Sequence, residues 1–337
     1  MKKHFKRALS LLLAILLCIG MLPVSASAAD LTGSMSMIDI KGRDHALSSS
    51  LPAPFGGYAS EKYTMLRITD SSTGATKTAY CLELGISTYY QEQYQPSADY
   101  PQFSQEQKEL INAVLTLGYN TDTGVKYGGS PEDEYIATQI LVWLIAHKQL
   151  GTQYENQIVS EFTVNSPGAK TVFTKLRKAV MDYRTIPSFA CEDSKYASSH
   201  TYELKYNAQT GKYETALTDS SGVLSEFSFS QPGVSFARTG NQLKISSEKT
   251  SFSTVSGEKK LPSSIAGVVK GASRYWLNEH YQNVVTFEVG GEPLPVKAYF
   301  GLEVKAGHLK IVKTSEDGKV SGLPFHVSGS GVEKDVS

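Results

Sequence analysis

The feature that most restricts the fold of this sequence is a helical segment whose residues 136–146 are apolar on nearly every side. Ser130 has the residue type of an N-cap, Pro131 occupies the first helical position, and Gly151 stands beyond the end. A helix of this composition is stable in water only when other elements cover most of its surface. We therefore expect it to be buried on most sides.

Two further helices are predicted on either side of this one. Ser104 and Gln107 form a capping box ahead of an apolar run, and Gly118 has the position of a C-cap glycine, which predicts a helix over 105–117. Residues 168–184 place apolar side chains on one stripe and end before a proline. The three helices together predict a helical subdomain.

Strand patterns stand on both sides of the helices. Residues 63–69 and 77–84 flank a turn-rich segment and predict a hairpin, with Cys81 near the end of its second strand. After Cys191 the pattern returns to strands separated by turns, which predicts an antiparallel sandwich. The predicted strands of this part are 202–206, 213–217, 223–229, 242–246, 283–289 and 296–304. The pattern leaves open whether the sandwich folds alone or closes against the first hairpin.

These elements predict an α+β fold of mostly antiparallel β structure, in sandwich-like or barrel-like form, with a helical subdomain that carries Gln139. Four regions follow one another along the chain. They are a leader at 1–29, a first domain at 30–190, a β-sandwich extension at 191–305 and the start of a further β module at 306–337.

The N-terminus predicts export. Four basic residues within 1–7 precede an apolar run over 8–21, and small residues follow it. This order is typical of a secretory signal peptide, here cleaved after Ala28 or Ala29. The apolar run is shorter than the ~20 residues that a membrane-spanning helix needs. We expect a secreted chain from which Cys18 has been removed.

Charge balance and the scatter of metal-binding residue types argue against two classes of function. The chain has 33 basic and 33 acidic residues, so no basic surplus is available to bind nucleic acid. Its seven histidines are scattered and its three cysteines do not occur in close pairs. Neither a metal site nor a cofactor is therefore predicted.

One glutamine on the apolar helix needs an explanation. Gln139 shares a helix face with Ile136 and Trp143, and a primary amide in such surroundings costs ~1–3 kcal/mol unless its polar atoms find partners. Attack of the Cys81 thiol on the amide carbon, with loss of ammonia, would replace this amide by a less polar thioester. The reaction needs thiolate character at Cys81, a polarised carbonyl and enforced proximity.

An aromatic-Cys-apolar-acidic motif at 79–83 and a Thr-Gln…Trp motif at 137–143 resemble those of the thioester domains of Gram-positive adhesins and pilus-tip proteins. The resemblance covers roughly residues 35–185. It implies an internal bond between the Cys81 sulfur and the Gln139 side-chain carbonyl. Further motif residues that would support this site are Tyr80, Glu83, Thr138 and Trp143. Leu141 departs from the family, which commonly has alanine at that position.

This resemblance implies covalent adhesion at the cell surface. A primary amine, such as an accessible lysine of a host or surface protein, would attack the thioester and form an amide at Gln139, with Cys81 as the leaving thiol. The partner would stay attached, whereas noncovalent binding always retains a dissociation rate. Because each site reacts once, the chain is not expected to be an enzyme.

The last residues resemble the start of a Cna protein B-type domain, a prealbumin-like β-sandwich, through residues 307–313 and 322–327. Lys313 corresponds to the lysine of that family's Lys–Asn isopeptide bond, whose asparagine and catalytic acid would lie beyond Ser337. It could equally be an ordinary exposed lysine. We expect a fragment of a longer protein that is attached to the cell wall through a region C-terminal to it.

Other interpretations remain open from the sequence. Cys81 and Cys191 could form a disulfide in an oxidising compartment, which would make the chain a noncovalent binding or pilin-like module. His147 could pair with Cys81 in a secreted cysteine hydrolase. The supporting motif residues could instead fill the core or cap backbone groups.

Overall fold

The computed structural model of the chain describes residues 32–57, 61–90, 92–291, 295–305, 324–329 and 332–336. The predicted leader at 1–29 and Lys313 lie outside the described residues. Within them the chain is an α+β protein with mostly antiparallel sheets, which confirms the predicted fold class. No helix of these ranges is long and apolar enough to cross a membrane.

Four α-helices and sixteen strands are found in the described part of the chain. The helices are α1 (Gln105–Leu117), α2 (Pro131–Ala146), α3 (Glu155–Phe162) and α4 (Pro167–Arg184). The strands before them are β1 (Gly33–His45), β2 (Glu61–Asp70), β3 (Thr76–Cys81) and β4 (Gln93–Ser97). The strands after them are β5 (Thr201–Glu203), β6 (Lys205–Asn207), β7 (Lys212–Thr218), β8 (Phe227–Ser230), β9 (Val234–Thr239), β10 (Gln242–Ser247), β11 (Val255–Lys259), β12 (Gly271–Leu277), β13 (Val284–Val289), β14 (Lys297–Glu303), β15 (Phe325–Gly329) and β16 (Val332–Val336).

Six strands close into a barrel in the order β1-β2-β3-β13-β12-β4. Four of them precede the helices, whereas β12 and β13 follow most of the sandwich strands in the chain. Strand β13 pairs with the end of the first hairpin, where Val284 lies opposite Cys81. The question that the sequence left open is thereby decided, because strands beyond residue 191 close against the first hairpin. The barrel is thus assembled from both sides of the predicted boundary at 190.

Helix α2 packs against strands of the barrel and against helices α1 and α4. Ser130 caps it by accepting a hydrogen bond from the backbone N–H of Asp133, and every residue over 133–145 is buried. This confirms the burial that its composition predicts. Helix α1 begins at the predicted capping box of Ser104 and Gln107. Helix α3 has no counterpart in the sequence prediction, because this eight-residue helix lacks a side-chain cap.

A sandwich of two four-stranded sheets follows the helices. One sheet has the order β6-β7-β10-β9 and the other the order β5-β14-β11-β8. Aromatic rings pack within it, and the Phe300 ring lies 5.5 Å from that of Phe189 and 5.6 Å from that of Phe229. The sequence did not predict β9, which is exposed along most of its length, or β11, which contains a glycine and a buried lysine. The first half of the predicted strand 223–229 is a short 3-10 helix, Leu224–Glu226.

The described C-terminal residues form a hairpin in which β15 and β16 pair antiparallel. The first part of the B-type motif, residues 307–313, lies outside the described residues. The resemblance of this region to a Cna protein B-type domain therefore stays a prediction.

A fully buried lysine joins α4 to the sandwich. The Lys259 ammonium donates hydrogen bonds to the backbone carbonyls of Asp182 (2.7 Å) and Thr185 (2.9 Å) and lies 3.0 Å from a carboxylate oxygen of Glu226. The two carbonyls belong to the C-terminus of α4, where a cation complements the helix dipole. The lysine therefore satisfies groups that the packing of α4 on the sandwich would otherwise leave unpaired.

Replacement of Lys259 by methionine should lower the free energy of unfolding by about 1–3 kcal/mol, because buried carbonyls lose their donor. The exposed neighbour Lys260 offers a matched control. Lys260→Met should change stability by less than about 0.5 kcal/mol. Urea unfolding measures both variants, and equal stability of the two would contradict the role assigned to Lys259.

Candidate functional site

The site is built where strand β3 loses one of its neighbours. Strands β2 and β3 pair as far as Leu66 and Ala79 and then separate. Cys81, two residues further on, keeps one strand partner among the described residues, Val284 of β13. The backbone groups on the other edge of Cys81 therefore need partners that are not part of a strand.

Side chains from α2 occupy this edge. Tyr135, Gln139 and Trp143 follow one another at intervals of four residues and so share one face of the helix. The Tyr135 hydroxyl accepts a hydrogen bond from the Leu66 N–H (3.1 Å) and donates one to the Ala79 carbonyl (3.1 Å). It bridges the two strands at the point where their ladder ends.

Gln139 continues this arrangement at Cys81. Its side-chain carbonyl accepts a hydrogen bond from the Cys81 N–H at 2.8 Å, and its NH₂ group donates one to the Cys81 carbonyl at 3.0 Å. The carboxamide thus takes the place of a neighbouring strand. Gln139 is only 2% exposed, and this double pairing supplies the partners that a buried amide requires.

The pairing provides two of the three conditions for thioester formation. A strand and a helix hold the carboxamide beside Cys81, and its oxygen accepts a hydrogen bond that polarises the carbonyl. The surroundings oppose the third condition, thiolate character. Burial, and next the charge of Glu83, raise the pKa of the Cys81 thiol above its usual value. Ionisation of the thiol before the attack is therefore disfavoured.

A pocket of about 270 Å³ gives access to the pair from solvent. Cys81, Gln139 and Trp143 line it together with residues of β1, β2 and the segment 84–88. Trp143 is 7% exposed, and its indole N–H has no hydrogen-bond partner among the described residues. The pocket therefore offers an entry path for a small nucleophile, whereas the indole N–H of Trp143 is buried beside it and unpaired within the described part of the chain.

Trp143 is the one residue of the four predicted supporting residues that lines this pocket. The Tyr80 hydroxyl donates a hydrogen bond to the Tyr119 carbonyl, and the Tyr80 ring stacks on Tyr135 with centroids 5.0 Å apart. The Thr138 hydroxyl accepts a hydrogen bond from the Tyr119 N–H at 3.1 Å. Tyr80 and Thr138 thus fix the chain just after α1 rather than contact an incoming molecule.

Glu83 ties the end of β3 to the start of β13. Its carboxylate accepts hydrogen bonds from the Tyr100 hydroxyl (2.8 Å), the Asn283 N–H (2.9 Å) and the Asn283 side-chain amide (3.0 Å). These contacts hold the chain that leaves Cys81 against the start of the neighbouring strand β13 and against Tyr100. Glu83 acts on Cys81 through its charge, which raises the pKa of the thiol.

Two residues of the site have no counterpart in the sequence prediction. Tyr135 stands four residues before Gln139, so a search for polar side chains at helical spacing along the apolar helix could have found it. His45 gives no such signal, because it reaches the pocket from the end of β1. Its ring is 4% exposed and lies 4.5 Å from that of Tyr63 and 4.8 Å from that of Phe162.

The competing interpretations find less support in this geometry. Cys81 and Cys191 are both free thiols. The backbone of Cys191 pairs with that of Tyr299 in an isolated β-bridge of the sandwich. The Nε2 atom of His147 accepts a hydrogen bond from the Leu84 N–H at 3.1 Å, so that nitrogen is engaged by the backbone. No group of His, Cys, Asp or Glu in the described part of the chain could hold a metal ion.

Comparison with known proteins bears on the segment that holds both halves of the pair. Residues 78–181 match the family model of the thioester domain. The resemblance predicted from the two motifs is confirmed. A solved structure, the thioester domain of the Staphylococcus aureus TIE protein, is similar at 14% sequence identity and a TM-score of 0.44, over 81% of this chain and 100% of that one. No curated protein matches the chain.

The thioester-domain match runs from β3 to α4 and contains both Cys81 and Gln139. It supports a surface module that bonds covalently to other molecules. Strands β1, β2, β12 and β13, which complete the barrel around the end of β3, lie outside the matched residues.

Replacement of Tyr135 by phenylalanine should lower the free energy of unfolding by about 1–3 kcal/mol, because the buried Leu66 N–H and Ala79 carbonyl lose their shared partner. Tyr206→Phe, at a 39% exposed residue of the sandwich, should change it by less than about 0.5 kcal/mol. Urea unfolding compares the variants. A Tyr135→Phe chain as stable as the control would show that the strands do not depend on this bridge.

The stability of the fold should also fall in mild acid because of His45. Burial lowers the pKa of His45 to about 4, against a smaller upward effect of the Asp44 charge. The folded pKa lies below the ~6.5 of an unfolded histidine. The stability that depends on a neutral His45 is therefore fully present above pH ~6.5 and is lost as the pH falls toward 4. This loss amounts to about 3 kcal/mol of the free energy of unfolding.

This pH dependence can be measured by urea unfolding at neutral pH and near the lower pKa. His45→Phe should make the difference between the two conditions smaller by about that amount. The exposed His280 supplies the control, and His280→Phe should leave the difference unchanged. The assignment fails if both variants show the same pH dependence as the parent chain.

Proposed function

We propose that this chain is the head of an exported surface adhesin that binds its partner covalently through a thioester between Cys81 and Gln139. The observation that carries the proposal is the double hydrogen bond between the Gln139 carboxamide and the Cys81 backbone. This pairing brings an electrophilic carbon to the residue that bears a thiol. The pair lines a pocket that a nucleophile can enter from solvent.

Formation of the thioester would convert this hydrogen-bonded pair into a covalent one. The Cys81 sulfur attacks the carboxamide carbon of Gln139, the C–N bond breaks, and the NH₂ group leaves as ammonia with the proton of the thiol. The Cys81 N–H remains in place to stabilise charge on the carbonyl oxygen. Enforced proximity of this kind can contribute ~7–11 kcal/mol toward the barrier. The chain then needs no cofactor and no second protein to become activated.

A primary amine is the partner class that this chemistry selects. A deprotonated lysine amine of a host or surface protein attacks the carbonyl carbon, an amide forms at Gln139, and Cys81 departs as a thiol. The amide does not dissociate under load, which suits attachment at a cell surface. Because the thioester is consumed, each chain reacts once and does not act as an enzyme.

The surface setting rests on the two ends of the sequence. The signal peptide over 1–29 would export the chain. The region 306–337, through its resemblance to a Cna protein B-type domain, would connect the head to a stalk on the cell wall, with Lys313 in an isopeptide bond. The sandwich over 191–305 would then separate the reactive pocket from that stalk.

A noncovalent binding module is the alternative that one observation favours. The raised pKa of Cys81 keeps the thiol protonated, and a protonated thiol beside a stably hydrogen-bonded amide could persist unreacted. In that case the Gln139 pairing would serve only to hold α2 on the barrel.

Intact mass of the purified, secreted chain separates the two functions. The thioester chain should be lighter than its sequence by one ammonia. Treatment with methylamine should then add one methylamine to that mass, because the amine opens the thioester. A folded chain with the full sequence mass, inert to methylamine, would falsify the covalent function.

Three variants serve as controls for this measurement. Cys81→Ala and Gln139→Ala should each abolish the mass deficit and the reaction with methylamine, because each removes one half of the bond. Cys191→Ala should retain both, since Cys191 lies in the sandwich and contacts Tyr299. A mass deficit that disappears with Cys191 would instead indicate chemistry between the two thiols.

A further inference from the structure

Cys81 shares the inside of the barrel with a tyrosine that has no role in the site described above. Residues that lie opposite each other in neighbouring strands point to the same face of a sheet. Val284 lies opposite both Cys81 and Trp276. Trp276 in turn lies opposite Pro96 of β4. Tyr94 stands two residues before Pro96, so its side chain points to the same face as that of Cys81.

That face is the interior of the barrel. Tyr94 lies opposite Gly33, and a side chain at Gly33 would collide with the side chains of Ile68 and Trp276. Gly33 and its partner Tyr94 therefore face the packed core of the barrel. Strands β3 and β4 are three places apart in a closed ring of six. The inside of so small a barrel is narrow, so inward-pointing side chains from opposite strands meet there.

The hydroxyl of Tyr94 is unused. Tyr94 is 0% exposed, and its hydroxyl has no hydrogen-bond partner among the described residues. A phenylalanine would fill the same space without a buried, unpaired polar group, so the hydroxyl needs a reason. Burial, and next the charge of Cys81, raise the pKa of Tyr94, which places the two groups within electrostatic reach of each other.

The site as described leaves one step of the chemistry without support. When an amine opens the thioester, the Cys81 sulfur departs with the electrons of the C–S bond. Its surroundings disfavour the anion, since burial and the Glu83 charge raise the pKa of the thiol. Lys62 is the one lysine or arginine that lines the pocket, and it is exposed. A proton donor inside the barrel would assist the departure of the sulfur.

We propose that the Tyr94 hydroxyl is the catalytic proton donor to the Cys81 sulfur when an amine opens the thioester, an inference that rests on the proposed function. The amine nitrogen bonds to the Gln139 carbonyl carbon, and the C–S bond breaks with its electron pair on sulfur. The Tyr94 proton moves to that sulfur and gives the thiol. The new amide nitrogen releases its extra proton to water, and the tyrosinate regains one from water.

Tyr94→Phe tests this donor because it retains the ring and removes only the hydroxyl. The full chain that carries the thioester is treated with methylamine, and opening of that fraction is followed by intact mass. We expect the rate constant to fall about 10²-fold, the lower end of the range for general acid catalysis. A Tyr94→Phe chain that opens at the parent rate would overturn the proposal.

Tyr275 provides the matched control. It is 3% exposed, and its hydroxyl likewise has no partner among the described residues. It precedes Trp276 in β12, so its side chain points to the outer face of the barrel. The thioester of the Tyr275→Phe chain should open at the parent rate. This result would distinguish the loss of a proton donor from the loss of any buried hydroxyl.

Fluorinated tyrosines introduced at position 94 give a second measurement, the rate of thioester opening as the acidity of the phenol changes. A purely structural role of Tyr94 would not make this rate depend on acidity. The opening rate should rise as the phenol becomes more acidic, because the proton is then transferred more readily. A rate that does not change along the series overturns the proposal. If Tyr94→Phe folds but acquires no thioester, the fluorotyrosine chains alone decide.

The outcomes distinguish this inference from the proposed function. A parent chain without a mass deficit defeats the proposed function and this inference with it. A parent chain with the deficit, together with equal opening rates for Tyr94→Phe and Tyr275→Phe, defeats this inference alone.

Discussion

The interaction on which the rest of the site depends is the pairing of a side-chain amide with the backbone of a strand. Strand β2 leaves β3 after Ala79, so the next backbone groups of β3 have to find partners outside the sheet. Gln139 meets both groups of Cys81 because α2 is packed directly against that edge. An unpaired backbone group in this buried position would be costly, and the same requirement that stabilises the fold therefore aligns the two residues of the proposed thioester.

Burial of Cys81 and Gln139 has two opposite effects on the proposed chemistry. The proposed thioester would lie in a buried pocket and would be shielded there from much of the surrounding water until a partner arrives. The same burial raises the pKa of the Cys81 thiol and makes it a poor nucleophile and a poor leaving group. A group that supplies a proton to the Cys81 sulfur would therefore assist the proposed chemistry. The unpaired hydroxyl of Tyr94 stands in that interior.

Much of the fold could be predicted from local signals. Caps mark the starts of α1 and α2, and the apolar circumference of α2 requires the burial that the structure shows. Helix α3 lacks a side-chain cap, and strands β4, β9, β11 and β12 were not predicted because their conformation depends on the strands beside them. The pair of Cys81 and Gln139 was recognisable from two motifs and the unusual place of a glutamine on an apolar helix face. His45 was not recognisable, since it reaches the pocket from the end of β1. Neither was Tyr94, since only the pairing of the strands places it inside the barrel.

The sequence by itself determined where α1, α2 and α4 lie, which residue types could form a thioester, and that α2 must be covered. Only the tertiary structure decided that β12 and β13, which lie between sandwich strands in the chain, close the barrel. It also decided that the side-chain carboxamide of Gln139 pairs with the backbone of Cys81. The physical reason is the range of the interactions. Helix caps and hydrophobic periodicity depend on residues that are close together in the sequence. Strand pairing and the pKa of a buried thiol depend on groups that only the folded chain brings together.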